Sequence, residues 1–212
     1  MLIKAESIRE AYYPEWISNM VLVKKANIKW RVYTDVTHLN RVCPKDSFPL
    51  HRIYQLVDVT VGHELLSFMD AYSGHNQIIM APKDEENASF ITNQGLYCYK
   101  IIPFELKNAR TTYQRLVNKM FAELLGKSMK VYVDAMLVKN LQVEQHIQHL
   151  EQTFLVLSKY KMRLNLAKYA FRVASGKFLE FMVHNRGIEA NLEKIQSLLK
   201  MKSPVKVRDV QC

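Results

Sequence analysis

An α+β fold, with antiparallel strands backed by amphipathic helices, is what the sequence predicts, and three observations carry that expectation. The run Met129 to Lys139 sets two short stretches rich in Val, Leu and Tyr on either side of an Asp134-Ala135 step, which reads as a β-hairpin with its acid at the turn. Leu106 to Leu125 places Tyr113, Leu116, Val117, Met120, Phe121 and Leu124 at i, i+3 and i+4 spacing, the mark of a helix with one apolar face. Because that helix leads directly into the hairpin, its apolar face is expected against the back of the hairpin's sheet. Apolar residues make up 49% of the 212, enough to bury a core as one large domain or one domain with a small subdomain.

Residues 1–14 carry mixed charge and no clear period, and read as a lead-in segment, flexible or part of a longer parent. Trp16 to Lys25 reads as a strand and Lys29 to Thr34 as its return, with Ala26-Asn27-Ile28 at the turn, so the hairpin's end bears Lys24, Lys25, Lys29 and Arg31. Such a basic tip suits phosphate groups, and equally a solvated edge guarded by charge. Asn40 to Arg52, with Pro44 and Pro49, is expected as extended loop, and Ile53 to Val61 as a short amphipathic helix. Leu65 to Asp70 is an apolar strand ending on a single acid, after which Tyr72-Ser73-Gly74-His75 turns the chain.

Gln77 to Met80 is expected to begin another strand, Pro82 to Glu86 to form a polar turn, and Ala88 to Thr92 to pair with Leu96 to Ile102 across Gly95. Gly126 is placed as the C-terminal cap of the long helix. Val143 to Tyr160 is expected as a helix with Ile147, Leu150, Phe154 and Leu157 inward. Tyr169 to Phe171 and Lys177 to Val183 read as strands, the second bounded by Gly176 and Gly187. Asn191 caps a last helix through Met201, Ser203-Pro204 ends it, and the final polar, basic residues look like the start of something further.

Lys and Arg total 30 against 20 acidic residues, a net charge of +10, which favours a polyanionic partner without specifying one. Cys43, Cys98 and Cys212 are widely spaced with no C-x-x-C, so neither a disulfide framework nor a zinc knuckle is indicated, and a reducing intracellular compartment, cytoplasmic or nuclear, is the expectation. His146 and His149 form an H-x-x-H with no Cys or carboxylate at ligand spacing, and are read as solvated helix residues. No apolar run approaches the ~20 residues that span a bilayer, and no signal-peptide core opens the chain, so no membrane partner is expected.

Two strand-end carboxylates remain. Asp134 alone reads as a turn aspartate bonding its own backbone. With Asp70 placed in the same way on a second strand, the two could meet across one sheet edge and hold a divalent metal.

The blocks Lys29-Trp30-Arg31 with Asp35 and Leu39-Asn40, Cys43-Pro44-Lys45-Asp46-Ser47-Phe48-Pro49-Leu50, Phe68-Met69-Asp70-Ala71-Tyr72-Ser73-Gly74 and Phe90-Ile91-Thr92 follow one another along the chain. Pro103-Phe104, Leu106-Lys107-Asn108-Ala109, Thr112-Tyr113-Gln114, Tyr132-Val133-Asp134 and Phe178-Leu179 complete the series. In that order they resemble the reverse transcriptase of gypsy-type LTR retrotransposons, particularly plant ones, from about Glu15 to Gln211. The resemblance implies the fingers and palm of a right-hand polymerase: 15–105 as fingers with the first palm strand and nucleotide pocket, 106–202 as palm, and 203–212 as the truncated start of thumb or connection. Thumb, connection and RNase H domains would belong to the rest of a parent polyprotein.

The implied reaction is RNA-directed DNA synthesis, a nucleotidyl transfer from dNTP to a primer 3′ hydroxyl on an RNA or DNA template. Asp70 and Asp134 match two of the family's three catalytic, metal-binding carboxylates, for Mg2+ or Mn2+. Arg31 with Lys24 or Lys25 matches the residues that grip the incoming triphosphate, and Phe104 and His75 fall in the nucleotide pocket. The departures fall at the same sites. The family's hairpin reads Tyr-x-Asp-Asp, and its second Asp is Ala135 here. Ile28, Glu105, Arg110 and Glu180 stand where the family usually has Gly, His75 where it has Tyr or Phe, and Val36 and His38 depart as well. The resemblance therefore implies a degenerate copy, its polymerase activity impaired, with a non-catalytic nucleic-acid-binding remnant as the alternative.

Overall fold

The computed structural model describes residues 6–24, 30–50, 52–58, 60–179, 181–190 and 192–201. In chain order the elements are β1 (Ile8–Glu10), β2 (Ile17–Lys24), β3 (Trp30–Thr34), α1 (Thr37–Val42), α2 (Ile53–Asp58), β4 (Leu65–Asp70), α3 (Pro82–Glu85), β5 (Ser89–Thr92) and β6 (Gly95–Tyr99). The second half adds α4 (Ala109–Met120), β7 (Met129–Tyr132), β8 (Ala135–Asn140), α5 (Val143–Lys159), β9 (Ala170–Val173), β10 (Ser175–Phe178), β11 (Phe181–His184), β12 (Gly187–Ala190) and α6 (Leu192–Leu199).

A four-stranded antiparallel sheet in the order β7-β8-β4-β9 is the centre of the molecule. Its two inner strands, β8 and β4, are covered on both faces, and so their sequences are mostly apolar without strict alternation. Along β8 the side chains alternate: Met136 and Val138 join Tyr113, Val117, Val131 and Leu157 in the core under α4 and α5. Leu137 faces the other way, into a second core with Val57, Leu66, Phe68, Phe178 and Val183 beneath α2 and the β10-β11-β12 sheet. The expected packing of the long helix on the back of the hairpin is found, with Tyr113, Val117, Met120, Phe121 and Leu124 all buried. At Gly176 the backbone of β10 lies so close to the Phe68 ring that an added Cβ would sit 2.2 Å from Cε2.

A five-stranded sheet, β1-β6-β5-β2-β3, forms the other layer, and the two expected hairpins meet in it through a parallel β2-β5 pairing. The lead-in contributes β1, paired with β6, and Arg9 from it bonds Glu85 at 2.7 Å. Several boundaries differ from expectation. The loop expected from Asn40 starts only after α1, and Pro82 to Glu86 is helical, Pro82 occupying the first turn where its missing N–H costs nothing. Gln77 to Met80 forms no strand: Gly74–Gln77 is a 3-10 turn, and a single bridge joins Ile79 to Ile101. The long helix ends at Met120 with Phe121 as its cap, and Gly126, at φ +82°, serves the turn into β7 instead.

Lys177 to Val183 is two antiparallel strands, β10 ending at Phe178 and β11 starting at Phe181, with Leu179 after the first at φ +49°, and β12 completes that small sheet. The hairpin turn at Ala26-Asn27-Ile28 and the Asn191 cap lie outside the described residues, as do Lys25, Lys29, Glu180 and residues 202–212.

The inward face of α5 is also rotated from expectation. Ile147 and Phe154 are exposed, whereas His146 and Thr153 are buried beside Leu157. His146 is therefore no solvated residue: its Nε2 lies 2.7 Å from Ser67 Oγ on β4, and Asn140 Nδ2 lies 3.1 Å from its Nδ1. Asn140 Oδ1 accepts from His149 Nδ1 at 2.8 Å, so one amide joins both imidazoles and ties α5 to the sheet. Burial lowers the His146 pKa, with His149 and Arg172 adding to the effect. The buried His75 is lowered too, again chiefly by burial, while Asp134 pulls the other way.

Two predictions follow from this packing. An imidazole with a lowered native pKa stays neutral in the fold while the unfolded chain takes up a proton below about pH 6.5. Stability is thus whole above that pH and is lost as pH falls toward the native values. The urea midpoint should drop between about pH 7.5 and 5.5, and His146→Gln should flatten the drop; an unchanged slope would remove His146 as its source. Gly176→Ala, which drives a methyl into the Phe68 ring, should destabilise by about 1–3 kcal/mol in the same measurement.

Candidate functional site

β4 and β8 pair so that Asp70 faces Ala135 across the ladder, and the Ala71 amide then bonds the Asp134 carbonyl at 2.9 Å. The hairpin loop is Val133-Asp134, one residue earlier than the Asp-Ala step expected, with Ala135 already the first residue of β8. This pairing brings the two strand-end acids to one open cleft of about 470 Å³, which Asp70, Asp134, Ala135, Lys168, Lys177 and Phe178 help to line. Both carboxylates also act on the buried Tyr113 hydroxyl, whose pKa is raised by burial first and by Asp134 and Asp70 after it. Directly opposed residues on neighbouring antiparallel strands have Cβ atoms about 5 Å apart. An acid at 135 would therefore stand beside Asp70, on the same face of the sheet.

Val133 is held at φ +52°, a conformation that a β-branched side chain adopts only under constraint, at a cost of roughly 1–3 kcal/mol. The constraint is Gln114 of α4, which is fully buried. Its Oε1 accepts from the Val133 amide at 2.7 Å, and its Nε2 donates to the Val131 carbonyl at 3.3 Å and to Asn118 Oδ1 at 2.8 Å. One carboxamide thus grips the hairpin on both sides of Tyr132 and fixes the backbone on which Asp134 sits.

Asp70 is paired with Lys168, Nζ to Oδ2, at 2.7 Å. Asp134 carries no hydrogen bond or ion pair from its carboxylate to any of the described residues. Neither Lys168 nor Gln114 stood out as a site residue in the sequence. Gln114 lay inside a recognised block, but nothing local shows that a helix glutamine reaches across to a strand, and Lys168 lies in a polar segment with no period of its own.

The other expected site residues are placed as follows. His75 sits edge-on to Phe104 and Tyr113, at centroid distances of 5.4 and 5.3 Å, and its Nδ1 is buried with no partner among the described residues. Gly74 beside it leaves room for the Tyr113 ring, where an added Cβ would lie at 2.8 Å. Arg110 stacks on the exposed Phe104 ring at 5.9 Å. Neither His75 nor Phe104 lines the cleft that holds the two acids. Lys24 is exposed on the edge hairpin, its Nζ 5.9 Å from the Trp30 ring. Arg31 lies on β3 opposite Val23, and its side chain, like Lys25, is outside the described residues.

The remaining sequence blocks converge at the start of α4. Asn40 bonds the Glu105 carbonyl and the Lys107 amide, Asn108 bonds the Pro44 carbonyl and the Asp46 amide, and Arg115 reaches both oxygens of Asp46.

Residues 23–206 match the family model described as reverse transcriptase (RNA-dependent DNA polymerase). The chain belongs to the reverse transcriptase family. Relatives of this reverse transcriptase domain include the retrovirus-related Pol polyprotein from transposon gypsy of Drosophila melanogaster, 28% identical over 96% of the chain and 20% of that polyprotein. The corresponding polyprotein from transposon opus, from the same organism, is 28% identical over 93% of the chain and 20% of its own length. The chain thus spans about a fifth of the polyproteins it matches.

Among solved structures, a foamy viral protease-reverse transcriptase in complex with double-stranded DNA superposes with a TM-score of 0.90 at 19% identity, covering 99% of this chain and 37% of that one. A second foamy viral structure, in complex with RNA/DNA hybrid, gives 0.88 at 18% identity over 99% of this chain and 28% of that one. The right-hand fingers-palm architecture expected from the sequence is therefore the fold of this reverse transcriptase.

Gln114→Leu removes the acceptor of a buried backbone amide at a strained residue. It should destabilise by about 1–3 kcal/mol in urea unfolding; a loss below about half that would mean that the Val133 amide finds another partner.

Proposed function

We propose that this chain is the fingers-palm portion of an RNA-directed DNA polymerase acting within a retrotransposon polyprotein, and that its polymerase activity is strongly impaired. The observation that carries the reading is the meeting of Asp70 and Asp134 in one cleft, with an alanine at the position opposite Asp70. The proposed division is residues 15–105 as fingers with the first palm strand and nucleotide pocket, 106–202 as palm, 1–14 as lead-in and 203–212 as the start of the following domain. Thumb, connection and RNase H domains are assigned to the parent polyprotein.

Two carboxylates on adjoining strands offer hard oxygen donors of the kind that Mg2+ or Mn2+ takes. The described residues contain no group of three His, Cys, Asp or Glu arranged to hold a metal. The donor set therefore fits one divalent cation and falls a carboxylate short of what a pair of closely spaced dications calls for. When bound, such an ion would supply charge neutralisation at the primer 3′ hydroxyl and at the phosphate under attack.

This chain's own residues supply orientation. Gln114 sets the Asp134 backbone, the β4-β8 ladder sets Asp70, and His75 and Phe104 form the wall assigned to the nucleotide. Lys24, Lys25 and Arg31 are assigned to the triphosphate, for which a guanidinium fork is suited. Template and primer, RNA or DNA, are the assigned macromolecular partners, held through their phosphates by a chain of net charge +10.

Misplacement of reacting atoms by about 1 Å costs on the order of 10²-fold in rate, and a missing metal ligand misplaces them. Ala135→Asp is expected to raise primer extension with Mg2+ or Mn2+ by on the order of 10²-fold. Comparable extension by the unmodified chain would remove the case for impairment. Ala135 also favours a second reading, a nucleic-acid-binding remnant without chemistry. In that case the chain binds primer-template with an affinity that falls at least about tenfold between ~50 and ~200 mM salt, while neither it nor the Ala135→Asp variant extends a primer. Affinity insensitive to salt would count against both readings.

A further inference from the structure

Asp70 is paired with a lysine, and the fold goes to some length to put it there. The segment that delivers Lys168 is sewn to the chain at and just after Asp70: Ala71 bridges to Leu164, and the Asn165 amide bonds the Asp70 carbonyl at 2.8 Å. One step further, the Tyr72 amide bonds the Arg163 carbonyl at 3.0 Å. Gln77 closes the same seam, its Nε2 donating to the carbonyls of Tyr72 and Arg163 and its Oε1 accepting from the Arg163 amide at 2.6 Å. The Asn165 side chain then accepts from Ala167, starting the single 3-10 turn Leu166–Lys168 that ends on the lysine. Lys168 is thus the last residue of a short, capped turn anchored to the strand whose carboxylate it meets.

Resting on the reading of Asp70 and Asp134 as the metal-binding pair, we propose that Lys168 is a built-in counter-ion for Asp70, and that a divalent cation enters the cleft by displacing it. The geometry divides the two acids. Asp70 gives one oxygen to Lys168, while the Asp134 carboxylate has no partner among the described residues. With a third carboxylate in place, an entering dication would gain three anionic ligands against the single ion pair it disrupts. With Ala135 it gains two, and one of these is already engaged. Lys168 therefore weighs more heavily against metal in this chain than it would opposite an aspartate.

The lysine's side chain is 58% exposed, so the pair is partly solvated and its effect is severalfold rather than many orders of magnitude. Lys177 lines the same cleft without an ion pair to any described residue, and so contributes field without engaging a ligand. The two lysines separate competition for an oxygen from simple repulsion of a dication.

The test is titration of the full chain with Mn2+, reading free ion by electron paramagnetic resonance, for the unmodified protein, Lys168→Met and Lys177→Met, with Lys168→Gln as a second neutral variant. The same series is repeated with Ala135→Asp, and thermal melts confirm folding. Lys168→Met and Lys168→Gln should tighten Mn2+ about threefold to fivefold, while Lys177→Met stays within about twofold. The gap between the two sites should narrow in the Ala135→Asp series. Equal effects at the two lysines, or none at Lys168, overturn the counter-ion proposal while leaving the metal reading intact. Absence of Mn2+ binding throughout, including with Ala135→Asp, overturns the metal reading and the proposal with it.

Discussion

The register of one strand pair governs this molecule. β4 and β8 align with Asp70 against Ala135 and Leu65 against Asn140. A slip of one residue would send Met136 and Val138 from the core under the helices to the opposite face, and would part Asp70 from the hairpin loop. Apolar packing on both faces forbids that slip, since every side chain of β8 from Met136 to Asn140 is buried. The energy that fixes the acids comes chiefly from the cores above and below the sheet. The same register makes position 135 costly for an acid in the absence of metal, because like charges directly opposite one another destabilise a sheet. Ala135 avoids that repulsion, so the residue proposed to weaken a metal site favours the fold that holds it.

Around this pair the helices and turns act as clamps. Gln114 reaches from α4 to hold the backbone at Val133, in a conformation the residue would not choose, and the seam from Arg163 to Asn165 holds the far side of Asp70. Each clamp couples a packed element to a carboxylate-bearing strand end through backbone hydrogen bonds, which tolerate side-chain change at the ends they fix. The ladder, the Asn40–Glu105 bond and the helix start accordingly form with Ala135, Glu105 and Arg110 in place.

How much of this was legible in the sequence varied with how local the determining physics was. Asp70 and Asp134 could be read because each ends an apolar strand, and strand ends are set within a few residues. The buried face of α5 could not: its sequence offers an apolar stripe at Ile147 and Phe154, but the sheet below presents Ser67 and Asn140, and hydrogen bonding to them turns His146 inward, Thr153 being buried on the same face with its hydroxyl on the His149 carbonyl. The break of Lys177 to Val183 into two strands turns on Leu179 at positive φ, which carries no glycine to announce it. β1, placed by pairing with β6, and the parallel β2-β5 contact were equally hidden, since both depend on partners some seventy to ninety residues away.

The proposed impairment and the basic balance of the chain rest on different physics. Metal binding is a property of a few oxygens and weakens when one is absent. Attraction to a nucleic-acid backbone is a sum over many lysines and arginines, each worth little, and no single substitution removes it. A chain relieved of selection on catalysis would therefore lose the first property quickly and the second slowly. On the proposed reading, the balance of 30 basic to 20 acidic residues, beside a cleft that Asp70 and Asp134 share with Lys168 and Lys177, is what that asymmetry leaves.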